Sequence, residues 1–164
     1  MENWNHPATH VKIIEGYEDS SHPIQAYTDG SKNYLGAGAG IAIFLDNNLT
    51  ATLKYRLNGR CTNNQAEQMA ILKALEYIQY TESGEKSILV HTESRITIHL
   101  LQNQKKQALL IEQIRTKVIE MEQHERRVEF IWMKAHMDTK EMKWQTNWRQ
   151  KQQIKRTSRS SILK

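Results

Sequence analysis

The chain has a single cysteine, Cys61, in 164 residues, so it holds no disulfide framework and suits a reducing compartment. It has no long apolar run either. The longest, Gly36–Leu45, is too short to span a bilayer and is rich in glycine. Residues 1–16 show no basic segment followed by an apolar stretch, the pattern of a signal peptide. These absences lead to the expectation of a soluble protein with no membrane partner, intracellular in the cytoplasm or the nucleus. No internal repeat is evident. His91, His99 and His124 lack metal-cluster spacing, and Cys61 has no His and Asn/Asp partners placed for thiol catalysis.

The body of the chain also lacks a positive surplus. The net charge of +5 would by itself suggest a nucleic-acid partner. Residues 134–164, however, carry nine Lys/Arg against Asp138 and Glu141, or +7, while residues 1–133 carry fourteen basic and sixteen acidic side chains, or −2. The basic character belongs to the tail, which shows no helical stripe. Residues 138–164 therefore read as a disordered basic arm.

The length fits one domain with a core of its own. Residues 1–22 have little periodicity and read as a linker or the remnant of an upstream region, leaving 23–137 as the domain. Strands are expected at 24–28, 36–45 and 49–57, with a turn at Asn47-Asn48; such short connections make an antiparallel meander. Thr62 and Gln65 form a capping box that opens a helix whose apolar stripe is Ala70, Ile71, Ala74, Leu75 and Ile78. A fourth strand follows at 87–92, then helices at 95–103 and 107–124. A fifth strand at 128–133 is apolar enough to be central. The order βββαβααβ suits an α/β fold with one mixed five-stranded sheet and flanking helices.

Several polar residues stand at chemically useful places. Asp29 ends the first strand before Gly30-Ser31, where it could equally be a turn residue capping its own backbone. Glu67 lies on the core-facing side of its helix, where a carboxylate must be paired, exposed in a cleft or bound to metal; the rival reading is an acid favoured by the helix N-terminus. Glu93 follows the fourth strand and has that same rival reading. Asn63 and Asn64 carry amides suited to ribose hydroxyls and base edges in a shallow minor groove, or simply form a polar loop. His136 follows the last strand, as a proton shuttle or as a surface loop residue. A carboxylate at a strand end, another on a helix and a third at a later strand end is how oxygen ligands gather around Mg²⁺.

In order, Tyr27-Thr28-Asp29-Gly30-Ser31, Asn63-Asn64-Gln65-Ala66-Glu67, Thr92-Glu93-Ser94 and Trp132-Met133-Lys134-Ala135-His136 resemble the ribonuclease H family (type 1), in the form found at the end of non-LTR retrotransposon polyproteins. The resemblance covers residues 24–136. It implies a ribonuclease H-like fold and hydrolysis of the RNA strand of RNA–DNA hybrids with two Mg²⁺ ions, or Mn²⁺ in their place, roughly 3.5–4 Å apart. It also implies an ancestral fusion to a reverse transcriptase. By resemblance Asp29 would bridge both metals, Glu67 and Glu93 would be ligands, and His136 would assist. Gly30, Ser31, Asn63, Asn64 and Gln65 would touch the nucleic acid.

Two departures bear on activity. Glu93 stands where the family has Asp, one methylene longer. After His136 the family continues with Gly-Asn-Glu-x-x-Asp, which opens a last helix and supplies a fourth carboxylate; here Thr146 stands at that position. Lys140 to Arg149 can be encoded so that reading from the third base of the first codon spells Gly-Asn-Glu-Met-Ala-Asp-Gln-Leu-Ala. A frameshift just before Lys140 is therefore expected, with impaired activity. The alternatives are a catalytically inactive nucleic-acid-binding remnant, a non-functional retrotransposon-derived fragment and, more remotely, an integrase-like nuclease.

Overall fold

The computed structural model describes residues 5–15, 22–81, 84–105 and 108–134. The chain divides into units Met1–Met133 and Lys134–Lys164, and every element described below belongs to the first. The basic arm expected at 138–164 lies outside the described residues.

In chain order the elements are a 3-10 turn (Pro7–His10), β1 (Lys12–Ile14), β2 (Ile24–Asn33), β3 (Gly36–Leu45), β4 (Asn48–Leu57), α1 (Asn63–Tyr80), β5 (Ser87–Thr92), α2 (Arg95–Gln102), α3 (Leu109–Gln123) and β6 (Arg127–Trp132). The strands form one mixed sheet in the order β1-β6-β5-β2-β3-β4. β2, β3 and β4 are the expected antiparallel meander, while β1, β6, β5 and β2 pair with one another in parallel. The β3–β4 connection is two residues, Asp46 and Asn47, both with positive φ (48° and 65°). That backbone matches the right-handed twist of the strands it joins.

The sheet has six strands rather than the expected five. The extra one is β1, inside the stretch read as a linker, pairing in register with β6 (Ile13 opposite Phe130). Its three residues offer too short a run for periodicity to mark. β2 is also longer than expected. It continues through Gly30-Ser31 to Asn33, because β3 supplies partners as far as Asn33↔Gly36. Gly30-Ser31 is thus strand, and the reversal comes at Tyr34-Leu35.

Alternation sets the core. Ile24 and Ala26 of β2, Ala39, Ile41 and Ile43 of β3, Ile88 and Val90 of β5, and Val128 and Phe130 of β6 face one side of the sheet. There they meet Ala70, Ile71, Ala74, Leu75 and Ile78 of α1, with Ile111, Ile114, Val118 and Met121 of α3. The helical stripe expected for α1 is the one buried. The other face carries Tyr27, whose ring stacks on His91 at 4.0 Å and meets Phe44 edge-on at 5.3 Å.

Candidate active site

The expected capping box forms at α1. Thr62 Oγ1 accepts from Gln65 N–H at 3.1 Å, and Gln65 Oε1 accepts from Thr62 N–H at 2.9 Å. It fixes where the helix begins and so where its first turn meets the sheet. That meeting point is Gly30. A Cβ built there would lie 2.2 Å from Glu67 N and 2.3 Å from the Ala66 carbonyl carbon, so only glycine lets β2 and α1 come this close. Gly30, expected as a nucleic-acid contact, is where strand and helix backbones touch. Asp29 and Glu67 flank that contact.

Asp29 lies within β2, at the place where the strand loses one neighbour. Parallel pairing with β5 ends at Tyr27↔His91, whereas pairing with β3 continues (Asp29↔Gly40). Thr28 Oγ1 donates to the His91 carbonyl at 2.8 Å, holding the two strands together at the split. Extending the register two steps past Tyr27 brings Asp29 level with Glu93, just beyond the end of β5. β6 ends at the same level: Thr92 pairs with Trp132, and Met133 N–H donates to the Thr92 carbonyl at 2.8 Å. β5 and β6 therefore finish together beside Asp29, while β2 runs on against β3 alone.

The chain adds β3 and β4 on one side of β2, then returns through α1 to place β5 on the other side. The border of β2 and β5 is where the winding reverses, and the carboxyl ends of strands at such a reversal are where open α/β sheets hold ligands.

Asp29 is 6% exposed. Glu67 is half-buried, with Oε2 shielded from solvent. It sits at the margin of the stripe, beside the more deeply buried Ala66, Gln68 and Ala70. Glu93 is half-buried, and Asn63, Asn64 and Gln65 are exposed on the first turn of α1. Ser31 lies further along β2 and is half-buried. His136 lies outside the described residues. Among the described residues no group of three or more acidic, His or Cys side chains is close enough to hold a metal ion. Asp29 and Glu67 stand beside the Gly30 contact of β2 and α1, and the register carries Glu93 to the level of Asp29. Hard carboxylate oxygens at such a place fit a divalent cation by donor chemistry.

Two features escaped sequence reasoning. One is the reason for Gly30, which depends on a helix more than thirty residues away. The other is Trp132, whose indole N–H donates to the Glu93 carbonyl at 3.1 Å while the Arg95 guanidinium lies 3.7 Å over its ring. In the sequence Trp132 was marked only as the first residue of the Trp132–His136 motif, with no contact assigned to it.

The RNase H family profile matches residues 21–153. The chain belongs to the RNase H family. The match runs past His136, where the resemblance read from the motifs stopped. No curated protein matches. Among solved structures, this RNase H chain is similar to LC11-RNase H1 in complex with an RNA/DNA hybrid, at 23% identity and a TM-score of 0.56, over 68% of this chain and 85% of that one. RNase H1 from the archaeon Halobacterium salinarum aligns at 24% identity and 0.51, over 66% and 82%. An N-terminal RNase H domain from Mycobacterium tuberculosis aligns at 19% and 0.52, over 67% and 86%. At these identities the likeness establishes the fold, an α/β RNase H-like architecture.

Proposed function

We propose that this RNase H domain binds RNA–DNA hybrids and hydrolyses the RNA strand, with Asp29, Glu67 and Glu93 holding Mg²⁺ and with activity lowered by the changes at Glu93 and beyond His136. The observation that supports the reading is that β2 and α1 approach at Gly30, next to Asp29 and Glu67, while the β2–β5 register carries Glu93 to the level of Asp29. Bound ions would supply an activated water and neutralise the leaving 3′-oxygen, most simply as a pair. The chain's own part is positioning. Gly30 lets the first turn of α1 approach β2, the β2–β5 register levels Asp29 with Glu93, and exposed Asn63 and Asn64 face the shallow groove of a docked hybrid. His136 is the group to release a proton or product.

The test is cleavage of a hybrid labelled in its RNA strand, with Mg²⁺ titrated and Asp29→Asn as control. The expected result is weak, Mg²⁺-dependent cleavage that Asp29→Asn abolishes. Cleavage that survives this substitution would overturn the assignment.

Salt-sensitive hybrid binding with no cleavage would favour the second reading, a non-catalytic binding remnant of a non-LTR element once joined to a reverse transcriptase. The codon match before Arg149 supports a frameshift within that lineage. The gene's nucleotide sequence decides it, since a third-base reading that fails to spell Gly-Asn-Glu-Met-Ala-Asp sinks the idea.

A further inference from the structure

We propose that Trp132 is a positioning residue for Glu93, with Arg95 holding the indole in place. The inference rests on the reading of Glu93 as a metal ligand.

Glu93 sits just past β5, where the ladder that would otherwise fix its backbone has ended. Its side chain has one more rotatable bond than an aspartate, so a loosely held backbone would scatter the carboxylate. A metal-binding group needs its geometry held within about half an ångström, and the residues around it do that holding. Hydrogen bonds across the strand ends contribute to the hold. Met133 N–H reaches the Thr92 carbonyl at 2.8 Å, Ser94 N–H reaches Thr92 Oγ1 at 3.1 Å, and Trp132 Nε1–H reaches the Glu93 carbonyl at 3.1 Å. Of these, the indole bond alone is made to Glu93 itself.

The indole is held in turn. The guanidinium of Arg95, exposed at the start of α2, lies 3.7 Å over its ring, a geometry in which cation and aromatic face attract. α2 is anchored by its cap, with Ser94 Oγ accepting from Thr97 N–H at 3.1 Å. Glu93 thus lies inside a closed loop: the Trp132 indole of β6 holds its carbonyl, and Arg95 over the same ring leads back along the chain through Ser94 to Glu93.

The experiment measures Mg²⁺ binding by calorimetry on the full chain, alongside hybrid-cleavage kinetics and thermal unfolding. Trp132→Phe keeps a ring for Arg95 and deletes the N–H. It is expected to weaken Mg²⁺ binding on the order of tenfold, as loss of a group supporting a ligand does. The Mg²⁺ concentration for half-maximal cleavage should rise in parallel, while KM for the hybrid stays put. Arg95→Gln, an exposed change that leaves the core intact, is expected to act in the same direction by about threefold. It carries the test should Trp132→Phe fail to fold.

In a Glu93→Gln background, Trp132→Phe should add no further loss, because its effect passes through that carboxylate. Losses that multiply across the two sites, or wild-type-like Mg²⁺ binding in folded Trp132→Phe and Arg95→Gln, would overturn the positioning role while leaving the metal site standing. A wild-type chain that binds no Mg²⁺ overturns both.

Discussion

At Gly30 a single hydrogen decides whether strand and helix can meet. Gly30→Ala would put a methyl 2.2 Å from the Glu67 backbone nitrogen, and neither backbone is free to retreat, since β2 is paired to β3 on that stretch and one face of α1 is buried from Ala66 to Ile78. Overpacking of this kind costs about 3 kcal/mol. Gly59→Ala, at a glycine with nothing within 4 Å and no positive φ, is the matched control and should cost nothing measurable. Chemical denaturation of the two variants checks this, and equal stabilities would refute the close approach.

His91 makes a second residue-scale case. Burial, and secondarily the neighbouring His22, lower its pKa to about 3. The neutral ring stacks on Tyr27 and lies 3.0 Å from Gln25 Oε1, an acceptor that calls for a proton on Nε2. His22 faces the same group and pairs with Glu129 at 3.0 Å. The unfolded chain takes up a proton on this imidazole near pH 6.5, whereas the folded one refuses it until about pH 3. The contribution of His91 is therefore full above pH 6.5 and is lost as pH falls toward 3, by up to about 1.4 kcal/mol per pH unit. Unfolding curves from pH 7 to 4 should show His91→Gln with a shallower loss than wild type; parallel slopes would contradict this.

Among the elements, α2 is short and depends on one fully buried side chain. Arg115 of α3 donates from Nε to the Leu101 carbonyl at 3.1 Å and from one terminal nitrogen to the Leu100 and Asn103 carbonyls at 2.8 and 2.9 Å. Its other terminal nitrogen meets Glu112 at 2.6 Å. A guanidinium thus does for the end of α2 what a glycine C-cap often does. Arg115→Met fills the volume but takes a donor from three carbonyls, of which Leu100 keeps the Asn103 N–H at 3.3 Å, at a cost of about 3 kcal/mol. Amide exchange should speed up in α2 more than in α1, and uniform protection would argue against the role.

This element also shows where sequence reading reaches its limit. β3, β5 and α1 were legible almost to the residue, because apolar runs of the right length and a capping box are local signals. Arg115, by contrast, sits in a helical stripe that reads as polar at that position, and only the tertiary structure turns a charged residue into a cap. Asp29, Glu67 and Glu93 were legible as residue types near the starts or ends of expected elements, though β2 runs on past Asp29 to Asn33. The β2–β5 register that levels Asp29 with Glu93 and the Gly30 contact beside Glu67 are non-local and so were not legible.

For the whole molecule, the consequential departure from expectation is the parallel strand β1 beside β6. An apolar strand such as β6 was expected to be central, and it is, but only because β1 covers what would otherwise be the sheet's edge. The segment is tied down besides. Ala8 and Val11 are buried, Ile13 packs on the core, and His10 Nδ1 lies 2.9 Å from Glu122 of α3. Removing residues 1–15 should therefore do two things at once. It should lower stability by about 4 kcal/mol, from two aliphatic side chains and their neighbours returned to water. It should also leave the hydrogen-bonding edge of β6 open to other chains, which invites association. Urea unfolding together with analytical ultracentrifugation separates the effects. A truncated chain that stays monomeric and as stable as the full one would return residues 1–15 to the status of a linker. A less stable chain that self-associates would make the sixth strand part of the RNase H domain in this protein.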